Sequence, residues 1–262
     1  MGKKRIKLYA LLLVMIVALS LYIYTLLKDD AREPYVVDIY LINQSFGAVA
    51  EVLIFDEVGN ESDCTAFAFA REGNKYRFLI SAHCVTKKIY MGDHELNIVG
   101  DNLYGLVLRS LETGKNSSHF GRLVAVDINN KIGDLAVLEA EIERPRVELL
   151  SFSRRPAESG ECVFNISHPK EGTGNVFLGY VATNKNPFAR WIYPKDSFKI
   201  KFESIKDARG TSGSAVQRCV TGEVIGLVTA RNKGYALATK VEYILEFLDE
   251  VEKGNFIVPR TE

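Results

Sequence analysis

No histidine follows position 168 in this chain of 262 residues; the four stand at 83, 94, 119 and 168. Any chemistry that needs an imidazole must draw on that earlier stretch. Charge of one sign is also missing, since 33 lysines and arginines balance 33 aspartates and glutamates. With no basic tail, that balance leaves no electrostatic footprint for nucleic acid or an acidic polymer. Only four cysteines are present, at 64, 84, 162 and 219, and no two cysteines or histidines stand at metal-ligand spacing. Zinc is therefore not expected, and adjacent His83 and Cys84 would point apart on a strand. No internal repeat, low-complexity tract or appended module is visible, and the length suffices for one large domain or two small ones.

What is present begins with a break at the N-terminus. Gly2-Lys3-Lys4-Arg5-Ile6-Lys7 precedes an uncharged apolar run of 20 residues from Leu8 to Leu27. As a helix this is about 30 Å long, the thickness of a hydrocarbon core. The basic residues before it and Asp29 and Asp30 after it put residues 1–7 in the cytoplasm and the remainder outside. A cleaved signal peptide would end sooner, at small residues, whereas Tyr22, Ile23 and Tyr24 carry the run past Ala18 and Ser20. The expectation is an uncleaved single-pass signal anchor over 8–27 and a stalk over 28–45. Residues Val36 to Ile42 offer a first strand as the alternative. All four cysteines then lie on the exported side, in a periplasmic or extracellular space, where an even count suggests two disulfides. Four buried free thiols are the alternative.

Beyond the stalk the chain is a series of short β-branched and aromatic runs split by Gly, Asn, Asp and Lys clusters. They include Ala48–Phe55, Tyr76–Ser81, Tyr104–Arg109, Arg122–Ile128, Leu135–Ala140, Cys162–Ile166, Val176–Thr183, Phe198–Phe202, Val224–Ala230 and Tyr235–Thr239. Phe198, Ile200 and Phe202 alternate with Lys199 and Lys201, the period of a half-buried strand. Regular short strands argue for an all-β sandwich or a pair of barrels. One helical pattern follows, with Val241, Ile244, Leu245, Leu248 and Val251 at three- and four-residue spacing, expected over about 241–252.

Three segments carry chemistry, in this order: Ser81-Ala82-His83-Cys84, Gly133-Asp134-Leu135-Ala136-Val137-Leu138 and Gly210-Thr211-Ser212-Gly213-Ser214-Ala215-Val216. A hydroxyl is a poor nucleophile near neutral pH and needs a base, and the base needs a carboxylate to hold its tautomer. Singly, His83 reads as a core histidine, Asp134 as a turn residue and Ser212 as a loop serine; together they supply all three functions. Gly210 and Gly213 permit a tight turn that would aim the Gly210 and Ser212 N–H groups at one point, an oxyanion hole. An α/β-hydrolase requires a histidine after the serine, and none follows Ser212; the Gly-x-Ser-x-Gly elbow also fails at Ser214. His94, His119 and His168 are expected at the surface or in turns, with His168 beside Pro169 at a cleft edge.

Taken with their neighbours, these segments resemble the trypsin-like (chymotrypsin-fold) serine proteases over about residues 46 to 250. The pattern is closest to the bacterial membrane-anchored or HtrA-type group, without the PDZ domain such relatives carry. Phe78 to Cys84 looks like the strand ending in the catalytic histidine, and Val126-Asp127 through Leu138 like the stretch carrying the aspartate. Gly160 to Val163 with His168-Pro169 resembles the opening of the second barrel. The resemblance implies two six-stranded antiparallel barrels, about 46–150 and 151–240, within a protease domain spanning 46–262. It implies His83, Asp134 and Ser212 as triad, and disulfides Cys64–Cys84 and Cys162–Cys219. It also implies a pocket lined by Lys206, Thr229, Ala230 and Arg231, with Thr229 bonded to Asp134. Thr211 stands where digestive relatives have an aspartate that captures a new N-terminus, so that activation is not expected. The implied function is a membrane-anchored extracytoplasmic endopeptidase acting on proteins or peptides through an acyl-enzyme, with no cofactor or metal. A catalytically silent peptide-binding relative is the alternative.

Overall fold

Strands whose two faces are both buried arise where a barrel wall is also packed from outside, and that pattern organises this molecule. The computed structural model describes residues 15–17, 20, 36–55, 61–91, 94–99, 103–109, 116–128, 131–143, 146–168, 174–182, 196–202, 210–232, 235–256 and 258. The chain divides at Val36/Val37, and every element named below lies in Val37–Glu262. The anchor expected over residues 8–27 falls outside the described residues except for 15–17 and 20. No described helix is long and apolar enough to cross a membrane.

The first barrel comprises β1 (Val49–Phe55), β2 (Glu61–Glu72), β3 (Lys75–Ile80), β6 (Leu103–Arg109), β7 (Asn116–Val126) and β8 (Ala136–Glu141). It closes antiparallel in the order β1-β2-β3-β8-β7-β6, with β6 returning to β1. Between β3 and β6 lie α2 (Ala82–Val85) and a separate hairpin of β4 (Thr86–Met91) and β5 (His94–Val99). The second barrel comprises β9 (Cys162–Ser167), β10 (Asn175–Val181), β11 (Ser197–Phe202), β12 (Ala215–Arg218), β13 (Val224–Asn232) and β14 (Tyr235–Lys240). It closes in the order β9-β10-β11-β14-β13-β12. Strands β2, β4, β5 and β12 were not among the expected runs. Strand β12 holds Gln217 and Arg218, both buried, so its sequence does not look like a core strand. Strand β7 begins at Asn116 rather than Arg122, because its first residues are polar and half exposed.

Side-chain alternation feeds three cores. On β3, Tyr76, Phe78 and Ile80 fill the first barrel while Leu79 faces the other way. On β9, Val163 enters the second barrel while Phe164 and Ile166 face outward. The outward residues, with Phe67, Val137, Ala215 and Leu227, form one cluster shared by both barrels. Each large side chain fully buried there contributes about 1.5–3 kcal/mol, so this cluster fixes one barrel against the other. On β11, Lys199 and Lys201 point outward and lie over the rings of Tyr235 and Tyr180 at 5.6 and 5.8 Å.

Two expectations need correction. Ile39–Ala48 is neither stalk nor strand but a helix, α1, whose first turn is capped by Asp38 Oδ1 accepting from Tyr40 N at 2.8 Å. Leu41, Ile42 and Phe46 pack against the shared cluster, so the folded body begins before residue 46. In the C-terminal helix α3 (Val241–Glu252) the buried residues are Val241, Ile244 and Phe247, whereas Leu245 is exposed. A three-residue step brings Phe247 inward, against Phe256 at 5.5 Å.

Candidate active site

Strand β3 delivers His83 to the end of the first barrel. The strand stops at Ile80, and buried Ser81 reaches across to β13 of the second barrel, donating its Oγ to Val228 O at 3.0 Å. The chain then turns through the single helical turn of α2, so His83 and Cys84 do not point apart as strand neighbours would. His83 Nε2 instead lies 3.8 Å from Cys84 Sγ. Ligand-type atoms of Cys64, His83 and Cys84 all fall within 4.8 Å of one another. Both sulfurs are joined in the Cys64–Cys84 disulfide and have no thiolate to offer a metal.

The Asp134 carboxylate receives His83 twice. Oδ1 accepts the backbone N–H at 2.8 Å and Oδ2 meets ring Nδ1 at 2.5 Å. A carboxylate can only accept, so the ring proton sits on Nδ1 and the Nε2 lone pair is free to take a proton. Asp134 is placed in turn by Asp127, a fully buried carboxylate that sequence reasoning left without a role. Asp127 accepts from Lys131 N at 3.0 Å, Ile132 N at 2.7 Å and Gly133 N at 3.0 Å. Its own N–H donates to Leu135 O at 2.9 Å, closing the loop that presents Asp134.

Ser212 lies on the turn that leads into β12. Gly210 and Gly213 both have positive φ, +80° and +86°. A Cβ at Gly213 would stand 2.0 Å from Thr65 O, so that position needs glycine for space as well as conformation. Thr65 of β2 clamps the turn from the first barrel. Its Oγ1 donates to Gly210 O at 2.6 Å and its N–H donates to Ser212 O at 2.8 Å. From the other side Gly213 N donates to Val228 O at 2.7 Å. Thr65 follows Cys64 as Cys84 follows His83, so one disulfide ties the clamp to the imidazole. Ser212 and His83 are thus brought to the same end of the molecule, but no hydrogen bond joins Ser212 Oγ to the ring.

The remaining expected residues distribute unevenly. Cys162 and Cys219 form the second disulfide, between β9 and the end of β12. Thr229 is half-buried and its hydroxyl faces Leu237 O at 3.5 Å, not Asp134, because β13 and β14 shift register between Val228 and Ala230. Ala230 is exposed, Arg231 lies on β13, and Lys206 falls outside the described residues. His168 is buried rather than at the surface, and its N–H donates to Thr65 Oγ1 at 3.1 Å. His119 sits half-buried on β7, 3.0 Å from Ser117 Oγ, and burial lowers its pKa.

Asp196, just before β11, carries a further charge near this end. Burial pushes its carboxyl pKa up; its own backbone hydrogen bond and Lys240 oppose the rise, while Asp134 and Asp127 add to it. A folded pKa above the unfolded one means that stability falls as pH rises from the ordinary carboxylate range through the folded value. Asp196→Asn is therefore expected to match the wild type below about pH 3 and to melt progressively higher than it toward neutrality. Melting curves across that range check this; a gap that is widest in acid overturns it.

No protein-family model matches the chain, and no curated protein does. Solved structures do. Deg5 superposes with a TM-score of 0.59 at 16% identity, covering 81% of this chain and 92% of that one. The HtrA-type protease AlgW, solved with a tripeptide, gives 0.57 at 20% identity, covering 82% of this chain and 63% of AlgW. The active form of the Rv3671c protease of M. tuberculosis gives 0.57 at 16%, covering 84% and 92%. The fold is that of the trypsin-like serine proteases, two closed six-stranded antiparallel barrels followed by a C-terminal helix.

Proposed function

We propose that this chain is a serine endopeptidase tethered by residues 8–27, with its barrels on the outer side of a membrane. The observation that carries the catalytic part is the doubly bonded His83–Asp134 pair, which leaves Nε2 as an acceptor, with the Cys64–Cys84 disulfide linking that imidazole to the clamp on a glycine-framed serine turn. Ser212 Oγ attacks a peptide carbonyl as His83 Nε2 takes its proton. The Gly210 and Ser212 N–H groups hold the oxyanion, and His83 returns the proton to the leaving amine as the C–N bond breaks. Water, deprotonated by the same imidazole, then splits the acyl-Ser212 ester. The tether rests on the apolar run and its flanking charges, and restricts substrates to proteins near that membrane surface.

A fluorophosphonate probe on the full chain tests the reading. Trypsin releases Gly210–Arg218 as one peptide, whose fragment ions separate Ser212 from Ser214. Label is expected on Ser212 and absent from Ser212→Ala. The absent Ser212–His83 hydrogen bond favours a second reading, a silent peptide-binding protein of the same fold. A folded wild type that takes no label supports that second reading and rejects the first.

A further inference from the structure

Ser214 and Asn165 have no part in the mechanism above, yet both are 0% exposed and both reach the Ser212 turn. Ser214 Oγ lies 2.7 Å from Thr211 O and 2.5 Å from Asn165 Nδ2. The direction of each bond is forced. A carbonyl only accepts, so the hydroxyl proton goes to Thr211, and the hydroxyl lone pair takes the amide N–H of Asn165. Ser214 N adds a second donor to Thr211 O at 3.2 Å. Asn165 is itself placed by the barrel wall, since it lies opposite Val216 in the β9–β12 register.

The Thr211 carbonyl and the Ser212 N–H belong to one planar trans peptide, so a carbonyl held to one side aims the N–H to the other. That N–H is one of the two oxyanion donors. Thr65, Val228 and Gly213 hold the peptides on either side of it, and Ser214 holds this central peptide through Thr211 O. We infer that Ser214 and Asn165 are positioning residues, a buried brace that orients the Ser212 N–H toward the developing oxyanion. The inference rests on the peptidase reading.

A second observation separates this from a role in stability. Asn165 Oδ1 is buried with no hydrogen-bond partner, and an orphaned acceptor costs the fold rather than supporting it. Asn165→Leu removes that orphan, so it should hold or raise the melting temperature while loosening the turn.

Fluorophosphonate inactivation of the full chain, resolved into kinact and KI, tests the brace. Ser214→Ala and Asn165→Leu are each expected to lower kinact about 10- to 100-fold, as misplacement of one oxyanion donor should, with KI within about two-fold. Asn165→Leu should melt no lower than wild type. The double variant, which leaves no unpaired amide, should be no slower than the slower single variant because the two side chains act as a unit. A kinact within about two-fold of wild type in folded Ser214→Ala, additive losses, or activity that falls only in step with melting temperature overturns the proposal. A wild type that takes no label at Ser212 rejects the peptidase reading and this inference with it. A labelled wild type whose variants label at the same speed rejects the brace alone.

Discussion

Asp134→Asn is expected to slow turnover about 10,000-fold while leaving the fold in place. The size follows from the two bonds that Asp134 makes to His83. The backbone N–H of His83 requires an acceptor, so an asparagine at 134 would present its carbonyl there and turn its NH2 toward ring Nδ1. A nitrogen facing a donor cannot keep its proton, so the imidazole would carry it on Nε2. In that tautomer His83 has no lone pair for the Ser212 proton. The backbone contact makes the outcome directional, because without it the amide could flip and restore the active tautomer. The measurement is the rate of Ser212 labelling by fluorophosphonate, beside a melting curve. A loss of less than about tenfold in a folded variant would mean that the carboxylate neither orients nor charges the ring.

The residues proposed to do chemistry were legible because each sits in a short, locally distinctive segment, and because their order and the lack of a later histidine excluded a rival fold. The residues that hold them in place were not legible. Thr65 reaches Gly210 and Ser212 only because β2, in the wall of the first barrel, packs against the turn that precedes β12, and Asn165 meets Ser214 only through the β9–β12 register. Nothing in either local sequence marks those pairings. Asp127 is intermediate. It stands seven positions before Asp134, close enough that a loop-closing carboxylate ahead of Gly133 is a recognisable turn signal. The helix Ile39–Ala48 was expected as stalk, with Val36–Ile42 as an alternative strand because Val36, Val37, Ile39, Tyr40 and Ile42 are β-formers, and tertiary burial overrode that preference. Asp38 was the available sign, since an aspartate before an apolar run is a helix start.

The two disulfides are expected to separate stability from activity. In the chain-entropy account a cross-link stabilises according to the loop it closes, and the bridges span 20 and 57 residues. Breaking Cys162–Cys219 by paired alanines should therefore cost about 4 kcal/mol of folding free energy, and breaking Cys64–Cys84 about 3 kcal/mol. Activity should run in the opposite order. Cys162 and Cys219 join β9 to the end of β12, where Cys219 N already donates to Cys162 O at 3.2 Å, so local backbone pairing persists without the sulfurs. Cys64 and Cys84 join the strand that clamps Gly210 and Ser212 to the turn that carries His83, so their loss frees the proposed base and nucleophile to drift apart. A displacement of about 1 Å there is worth about 100-fold in rate. Denaturant titration and Ser212 labelling on both double variants check the two orders together. Variants in which the less stable is also the less active would reduce both bridges to struts, and would remove the Cys64–Cys84 link from the account of how Ser212 and His83 are held together.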